Sequence, residues 1–340
     1  MFTLRSLLRP LLTAVAMLCL VVGLNNCTQP PSSFGSAPSA STSPAPTSTA
    51  MTNTANGDRK ININSSILSE LDKLEAELGI PALSHQIQAS RPYGSIDDLV
   101  SKGVLKQEQF DQVKNQVTVE DIVLTGEAKD VDYLTKLGLM KGHMLIAGQL
   151  LKLNLPDQAE PHLGHPVEEI YVDIQDQLAE RKVPEFSGSL TDVQDLVKSK
   201  PNDPDVATEY DAAMGGIDQA IGALPVAQIQ SPEFVLQAIT EMLDTAAAEY
   251  TASISNGKIT AAIEYQDSMG FVNYVKDTLF KSIEVKLTQQ NAPLAKDLRS
   301  KLDTLAKAWT QPVPPSAPTV SADEVANQVK AIEQAVAALK

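Results

Sequence analysis

The sequence predicts an all-α protein, with a small helical module followed by a larger multi-helix bundle. Three observations carry this expectation. Aromatic residues make up only 4% of a chain that is 43% hydrophobic, and Ala and Leu are common, a mix that suits packed helices better than sheets. Apolar residues recur at helical spacing, as in Leu236, Ile239, Leu243, Ala246 and Ala247, and again in Phe271, Val275, Leu279 and Ile283. The two cysteines, Cys19 and Cys27, both fall at the N-terminus, so the rest of the chain relies on apolar packing without a disulfide.

The first 27 residues read as an export leader. Arg5 and Arg9 form a basic head, Leu11 to Leu24 is an apolar run, and Asn25, Asn26 and Cys27 close it. The run is shorter than the ~20 residues a membrane span needs and has the length of a signal-peptide core. It resembles a bacterial lipoprotein signal, although Asn26 stands where that pattern prefers Gly, Ala or Ser. The resemblance implies lipidation of Cys27, anchorage of the chain to a membrane through the lipid, and a location in the periplasm, the cell envelope or the thylakoid lumen. Residues 28–58 are almost entirely Pro, Ser, Thr, Ala and Gly, and cannot bury enough apolar surface to order themselves. A disordered tether is expected there.

Residues 59–125 change character. Asn64 or Ser65 is placed to cap a helix carrying Ile67, Leu68, Leu71 and Leu74, which Gly79 ends. A second helix runs through Leu83 and Ile87 and stops before Pro92. Ser95 then caps Ile96–Val100, Gly103 breaks the chain, and Gln107–Val117 forms a fourth helix with Phe110 and Val113 inward. The Ile61–Asn64 start, the turn Gly79–Ile80–Pro81–Ala82 and the stretch from Pro92 to Leu99 resemble the helix-hairpin-helix repeat of competence-type DNA receptors. They are still more similar to the extrinsic protein U of photosystem II. That resemblance covers about a fifth of the chain and implies a helix-hairpin-helix domain over 59–125, with Gly79, Ile80, Pro81 and Gly103 as hairpin contacts. The turns depart from the DNA-binding pattern, which sets a second glycine where backbone N–H groups approach phosphate. The module also has seven basic against ten acidic side chains. A protein-docking hairpin is therefore expected ahead of a DNA-binding one.

Residues 126–340 read as helix throughout. Segments are expected at Asp130–Asn154, Asp157–Gly164, Pro166–Arg181, Leu190–Lys198, Asp205–Ala223, Ser231–Ser255, Ile259–Gln289, Pro293–Trp309 and Ala322–Leu339. Gly138, Gly142 and Gly148 inside the first of these each cost ~1 kcal/mol relative to Ala, which points to close helix contacts or a local break.

One constellation could carry chemistry. Three of the four histidines, His143, His162 and His165, fall close together in sequence, with Glu168 and Glu169 just after. Imidazole and carboxylate at short spacing are what an Fe, Zn or Cu site requires. Pro166 is suited to a helix's first position, which would put His165 near an N-cap and both glutamates in a first turn, where they also complement the helix dipole. His143 to Asn154 spans ~16 Å as helix, a distance the return segment must recover for joint ligation. The alternative is a polar cluster whose imidazoles bond to backbone or bridge helix ends, and it is the plainer reading. His165–Pro166–Val167–Glu168 also resembles the His-x-x-Glu element of imelysin-like proteins of iron uptake, and Glu264 to Phe271 has a similar character. The resemblance implies a metal-binding bundle with His165 and Glu168 carried over, and Glu264 and Asp267 as remoter candidates.

Catalytic classes find little support. No Gly-x-Ser-x-Gly elbow, P-loop or His-Glu-x-x-His signature occurs. A net charge of −15 argues against broad contact with nucleic acid. His85 reads as a packed or surface residue, and Met140, Met144 and Met214 as core fillers. The function expected is that of an exported, lipid-anchored, non-enzymatic binding protein whose hairpin docks a protein and whose bundle either takes a transition metal or presents a helical surface. An envelope DNA-binding protein is the alternative, and a metal-dependent hydrolase a distant third.

Overall fold

The computed structural model describes residues 60–121 and 123–339. The leader expected over 1–27, with its lipidated Cys27, and the tether over 28–58 lie outside the described residues. What is described is overwhelmingly helical, as the composition predicts.

A two-residue strand, β1 (Ile61–Asn62), pairs in parallel with β2 (Val117–Thr118), Ile61 opposite Val117. Between them lie α1 (Leu68–Leu78), α2 (Leu83–Ala89), α3 (Asp98–Ser101) and α4 (Gln107–Val113). Leu71, Leu74, Leu83, Ile87, Leu99 and Val113 form their shared core, each without measurable exposure. Gly79 ends α1 in the left-handed region at φ 62°, and its N–H donates to the Glu75 carbonyl. Ala82 is left-handed as well, at φ 58°. The Glu75 carboxylate then accepts from the Ala82 and Ser84 N–H groups at 2.9 and 3.3 Å, supplying the cap that the start of α2 lacks locally. Gly79, Pro81 and Gly103 are exposed turn residues, with Ile80 half-buried beside them.

The start of α1 differs from expectation. Neither Asn64 nor Ser65 caps it; Ile67 occupies the N-cap position and makes no side-chain bond. Asn64 is instead committed to Tyr93, donating to its carbonyl at 2.9 Å and accepting its N–H at 2.7 Å. The Leu68 N–H is capped from the distant Glu169 Oε2 at 3.2 Å. A long-range carboxylate has taken over the work expected of a local amide or hydroxyl.

The bundle begins with α5 (Gly126–Lys152), which is buried on most sides from Val131 to Leu150, as an element apolar all round should be. Next come α6 (Pro156–His165), a π-helical turn at Pro166–Tyr171, and α7 (Val172–Glu180). The chain continues through α8 (Ser187–Ser199), α9 (Asp205–Gly222), α10 (Val226–Ile229) and α11 (Pro232–Ala252). Ser231 caps the last of these, accepting the Phe234 N–H at 3.3 Å.

Three boundaries are corrected. His165 is not an N-cap: its backbone is helical (φ −51°, ψ −43°), so α6, the π turn and α7 run on without a break. Ser231–Ser255 and Ile259–Gln289 do not continue to their expected ends, because β3 (Ile254–Ser255) and β4 (Lys258–Ile259) form a small antiparallel hairpin. Asn256 and Gly257 turn it at φ 52° and 71°, the Asn-Gly chemistry of a two-residue hairpin. After α12 (Ala262–Tyr274) and a second π turn at Val275–Leu279 comes α13 (Phe280–Leu305), which is continuous apart from a kink at Asn291. There the backbone leaves the helical region ahead of Pro293, and the Asn291 side chain caps the restart by accepting the Leu294 N–H at 3.1 Å. The last helix is α14 (Ala322–Ala337).

The short helices α1 to α4 pack on this bundle. Helix α1 lies along α11, Ile67 belongs to the bundle's core, and Lys73 Nζ meets Asp244 Oδ2 at 2.6 Å. One face of α1 is thereby occupied by the protein's own helices.

The glycines of α5 serve close approach. A Cβ on Gly142 would overlap the Phe271 ring, and one on Gly270 of α12 would overlap the Gly142 carbonyl. Gly142→Ala and Gly270→Ala should each cost about 1–3 kcal/mol in urea unfolding, because the two backbones must part. Gly215→Ala, in open space on α9, should leave stability unchanged or raise it by roughly 0.5–1 kcal/mol.

Candidate metal centre

The crossing of α5 and α12 carries a polar patch inside the apolar core. Asp267, 2% exposed, lies on α12; His143, 1% exposed, faces it from α5; and His162, fully buried, faces it from α6. His143 Nδ1 and His162 Nδ1 both reach Asp267 Oδ1, at 2.6 and 2.7 Å. His165, half-buried at the end of α6, brings its Nδ1 to 3.5 Å from Asp267 Oδ2. His143 packs edge-on against His165 and Phe271, with ring centroids 4.9 Å apart in each case. Donor atoms of His143, His165 and Asp267 lie within 4.8 Å of one another, the proximity a single cation needs from its ligands. The sequence singled out all three histidines, and the fold brings all three together.

His162 plays a different part from the other two. Both of its nitrogens face acceptors, Asp267 Oδ1 and Gln266 Oε1, the latter at 2.9 Å. The Gln266 amide is fixed in turn, its Nε2 donating to Gln158 Oε1 at 2.9 Å and to the Pro312 carbonyl at 3.1 Å. His162 has no ring nitrogen to offer a cation unless one of these bonds breaks. It orients the Asp267 carboxylate, as an outer partner orients a metal ligand.

Glu168 and Glu169 separate because of the π turn. An α-helix places both i+3 and i+4 near residue i, and the wider π turn carries i+3 further round. Glu169 therefore stays near His165 while capping α1, and Glu168 rotates to the surface, where its Oε1 accepts from Gln194 Nε2 at 3.1 Å. The structure does not bring Glu168 to the imidazoles.

Electrostatics follow from burial and proximity. Burial holds His143 below the ordinary imidazole value, the Asp267 charge only partly offsetting it, so the ring is neutral at pH 7 and donates from Nδ1. Burial opposes charge on His165 too, yet its hydrogen bond to Asp267 and that carboxylate's charge raise it to about 9. Asp267 is also opposed by burial, but the surrounding imidazoles hold it well below the usual carboxylate range. It is the ionised hub of the cluster.

Further acids surround it that the sequence analysis left unassigned. Asp72 of α1 is raised to about 8 and Glu249 of α11 is raised as well, both by burial first, and the Asp72 carboxyl hydrogen-bonds to that of Glu249. Glu264, named only as a remote candidate, is raised by burial and feels both Asp267 and Glu75. A signal for these groups does exist in the sequence: Asp72 follows Leu68 on an apolar stripe, Glu249 follows Ala246–Ala248, and Gln266–Asp267–Ser268 interrupts a core-facing helix. A polar residue at a core position is either an error or a site. His85 is exposed, Met140 and Met144 are core residues, and Met214 packs against the core.

Residues 225–340 match the model of a protein family described as the iron permease-associated 4-helix bundle domain. No curated protein and no solved structure matches the chain. The match spans α10 to α14 and so includes Glu249, Glu264, Gln266 and Asp267. It points to an iron-permease-associated function, compatible with metal-related binding, and agrees loosely with the iron-uptake resemblance of this region. It leaves residues 59–125 uncovered and lends nothing to the resemblances drawn there. The expected location is corrected: iron permeases are integral membrane transporters, and a domain associated with them is hard to reconcile with a lipoprotein of the periplasm. Among the described residues no helix is long and apolar enough to cross a membrane.

Asp267 organises the three imidazoles, so Asp267→Ala should destabilise the metal-free protein by about 3–5 kcal/mol in urea unfolding, the cost of stranding buried polar partners. A loss under about 1 kcal/mol would show that the imidazoles are satisfied without it.

Proposed function

We propose that this protein binds iron on behalf of an iron permease, holding the ion at His143, His165 and Asp267 without chemical turnover. One observation carries the reading: two imidazoles and an ionised carboxylate converge at the core, in a chain whose C-terminal third is similar to an iron permease-associated domain. The donor set suits the task. Imidazole nitrogen with carboxylate oxygen is a combination that first-row divalent ions, iron among them, accept. Asp267 is already ionised, so its ligation would release no proton, whereas His165, raised to about 9, would give up one proton to solvent on taking the ion. His143 is neutral, with its Nδ1 proton directed at Asp267 and its other ring nitrogen unprotonated.

The surroundings support retention of the ion. Phe271 closes one side of His143, and His162 and Gln266 hold the Asp267 carboxylate in place. His165 is the most exposed of the three imidazoles, its side chain 24% accessible, so exchange with solvent would run past its ring. A cleft of about 260 Å³ lies between the residues ahead of α1 and the π turn, lined by Ser65, Arg91, Glu168 and Glu169 among others.

Anaerobic titration with Fe(II) tests the reading. The full chain should bind the ion; His165→Ala and His143→Ala should abolish binding at this centre; and His162→Ala should weaken it roughly 10–100-fold by freeing the carboxylate. Glu168→Gln should bind as the parent does, because that side chain is at the surface. Equal, near-zero iron in the parent and all variants would remove the reading.

A further inference from the structure

We propose that the proline-rich segment between α13 and α14, residues 309–320, is a strap that tunes the metal centre: when it is seated, the Pro312 carbonyl turns the Gln266 amide so that His162, and through it Asp267, is held ready for the ion. This rests on the reading of His143, His165 and Asp267 as a metal site and adds the control of that site by a segment far along the chain.

The segment's own backbone does not explain its place. Among the described residues no backbone–backbone hydrogen bond involves residues 310–320. Pro312, Pro314, Pro315 and Pro318 have no N–H to offer. Side chains of α11 and α12 hold it instead. Tyr265 Oη donates to the Gln311 carbonyl at 3.4 Å, Gln266 Nε2 to the Pro312 carbonyl at 3.1 Å, and Tyr250 Oη to the Val320 carbonyl at 2.7 Å. Trp309, 6% exposed, donates from Nε1 to Ser268 Oγ at 2.7 Å. Thr319 Oγ1 joins the two ends by donating to the Ala308 carbonyl at 2.9 Å. Tyr265, Gln266 and Ser268 flank Asp267 on one helical turn, each buried. That turn spends one side on the imidazoles and the rest on the strap, whose middle is open to solvent, with Val313 36% exposed.

The Pro312 carbonyl decides which way the Gln266 amide faces. A peptide carbonyl only accepts, so the amide presents its NH2 to the strap and its Oε1 to His162 Nε2, 2.9 Å away. Gln158 cannot make that choice, because its own amide offers a donor or an acceptor as required. With the strap away, the Gln266 amide is free to turn, and an NH2 facing Nε2 removes the acceptor that fixes the ring. His162 then has one anchor in place of two, and the Asp267 carboxylate, which it meets at 2.7 Å, loses orientation. The four prolines make the seated state cheap to reach, since a stiff segment has little conformational freedom to give up. Strap seating and ion binding must favour each other by the same factor, because linkage is reciprocal.

A double-mutant cycle on the full chain, read by anaerobic Fe(II) titration, tests the strap. Glycine at all four prolines (Pro312→Gly, Pro314→Gly, Pro315→Gly and Pro318→Gly) loosens the segment and leaves every ligand in place. It should weaken binding roughly 3–10-fold, less than the outright loss of an outer partner. Gln266→Met, near-isosteric, cuts the link between strap and imidazole; in that background the four glycines should change the affinity by less than about twofold. An equal loss in both backgrounds would mean that the segment acts on stability alone, and parent-like binding by the glycine variant that it does not act on the ion. Either overturns the inference and leaves the imidazole site standing, whereas no iron in the parent removes both. Should the variants fail to fold, the parent decides. Trp309 is the chain's single tryptophan, so its indole N–H gives one signal in a proton–nitrogen NMR spectrum, and exchange of that proton with solvent reports opening of the strap. Saturating Zn(II), a diamagnetic ion that accepts the same donors, should slow the exchange roughly 3–10-fold in the parent and leave it unchanged in His165→Ala. A parent that binds Zn(II) without slowing overturns the strap, and one that takes no metal removes the centre with it.

Discussion

The buried carboxylate of Asp267 is the constraint around which the rest of the molecule is arranged. An ionised acid at the core is costly unless it is fully engaged. Here it draws His143 from α5 and His162 and His165 from α6, and its neighbour Gln266 ties the same cluster to Gln158 and the Pro312 carbonyl. Three helices are thereby held at one depth and one rotation. The glycines at the crossing are the steric counterpart: Gly142 and Gly270 let α5 and α12 approach until imidazole and carboxylate meet. Polar network and backbone contact depend on each other.

The second organising feature is the joint between α1 and the bundle. Its visible ion pair, Lys73 with Asp244, is half in water and contributes little. The buried terms matter more. Glu169 caps α1 from across the joint, Ile67 fills the bundle's core, and Asp72 meets Glu249. Glu169 also lies beside His165, so one side chain links the start of α1 to the imidazole cluster. A change at the centre would be felt at the joint through that contact.

Much of the architecture is legible from residue pattern. The stripes on α11 and from α12 into α13 are core positions, and Gly79 and Gly103 do turn the chain. The departures have specific causes. Helical periodicity through Ser255 and Ile259 hid a two-residue Asn-Gly turn, whose local chemistry outranks the propensity of its flanks. Pro166 suggested a helix start, but a proline with a helical residue before it can also sit where a π turn leaves its missing N–H unneeded.

Composition and periodicity were enough to settle helix content, which faces are buried, and which histidines to watch, because those properties depend on a residue and its near neighbours along the chain. The partners of those histidines were another matter. Asp267 is 124 residues from His143, and Asp72 and Glu249 are further apart still. Burial gives a carboxylate its chemistry, and burial depends on what the remaining helices bring to cover it. That was decided only when α1, α5, α6, α11 and α12 closed on a common interior.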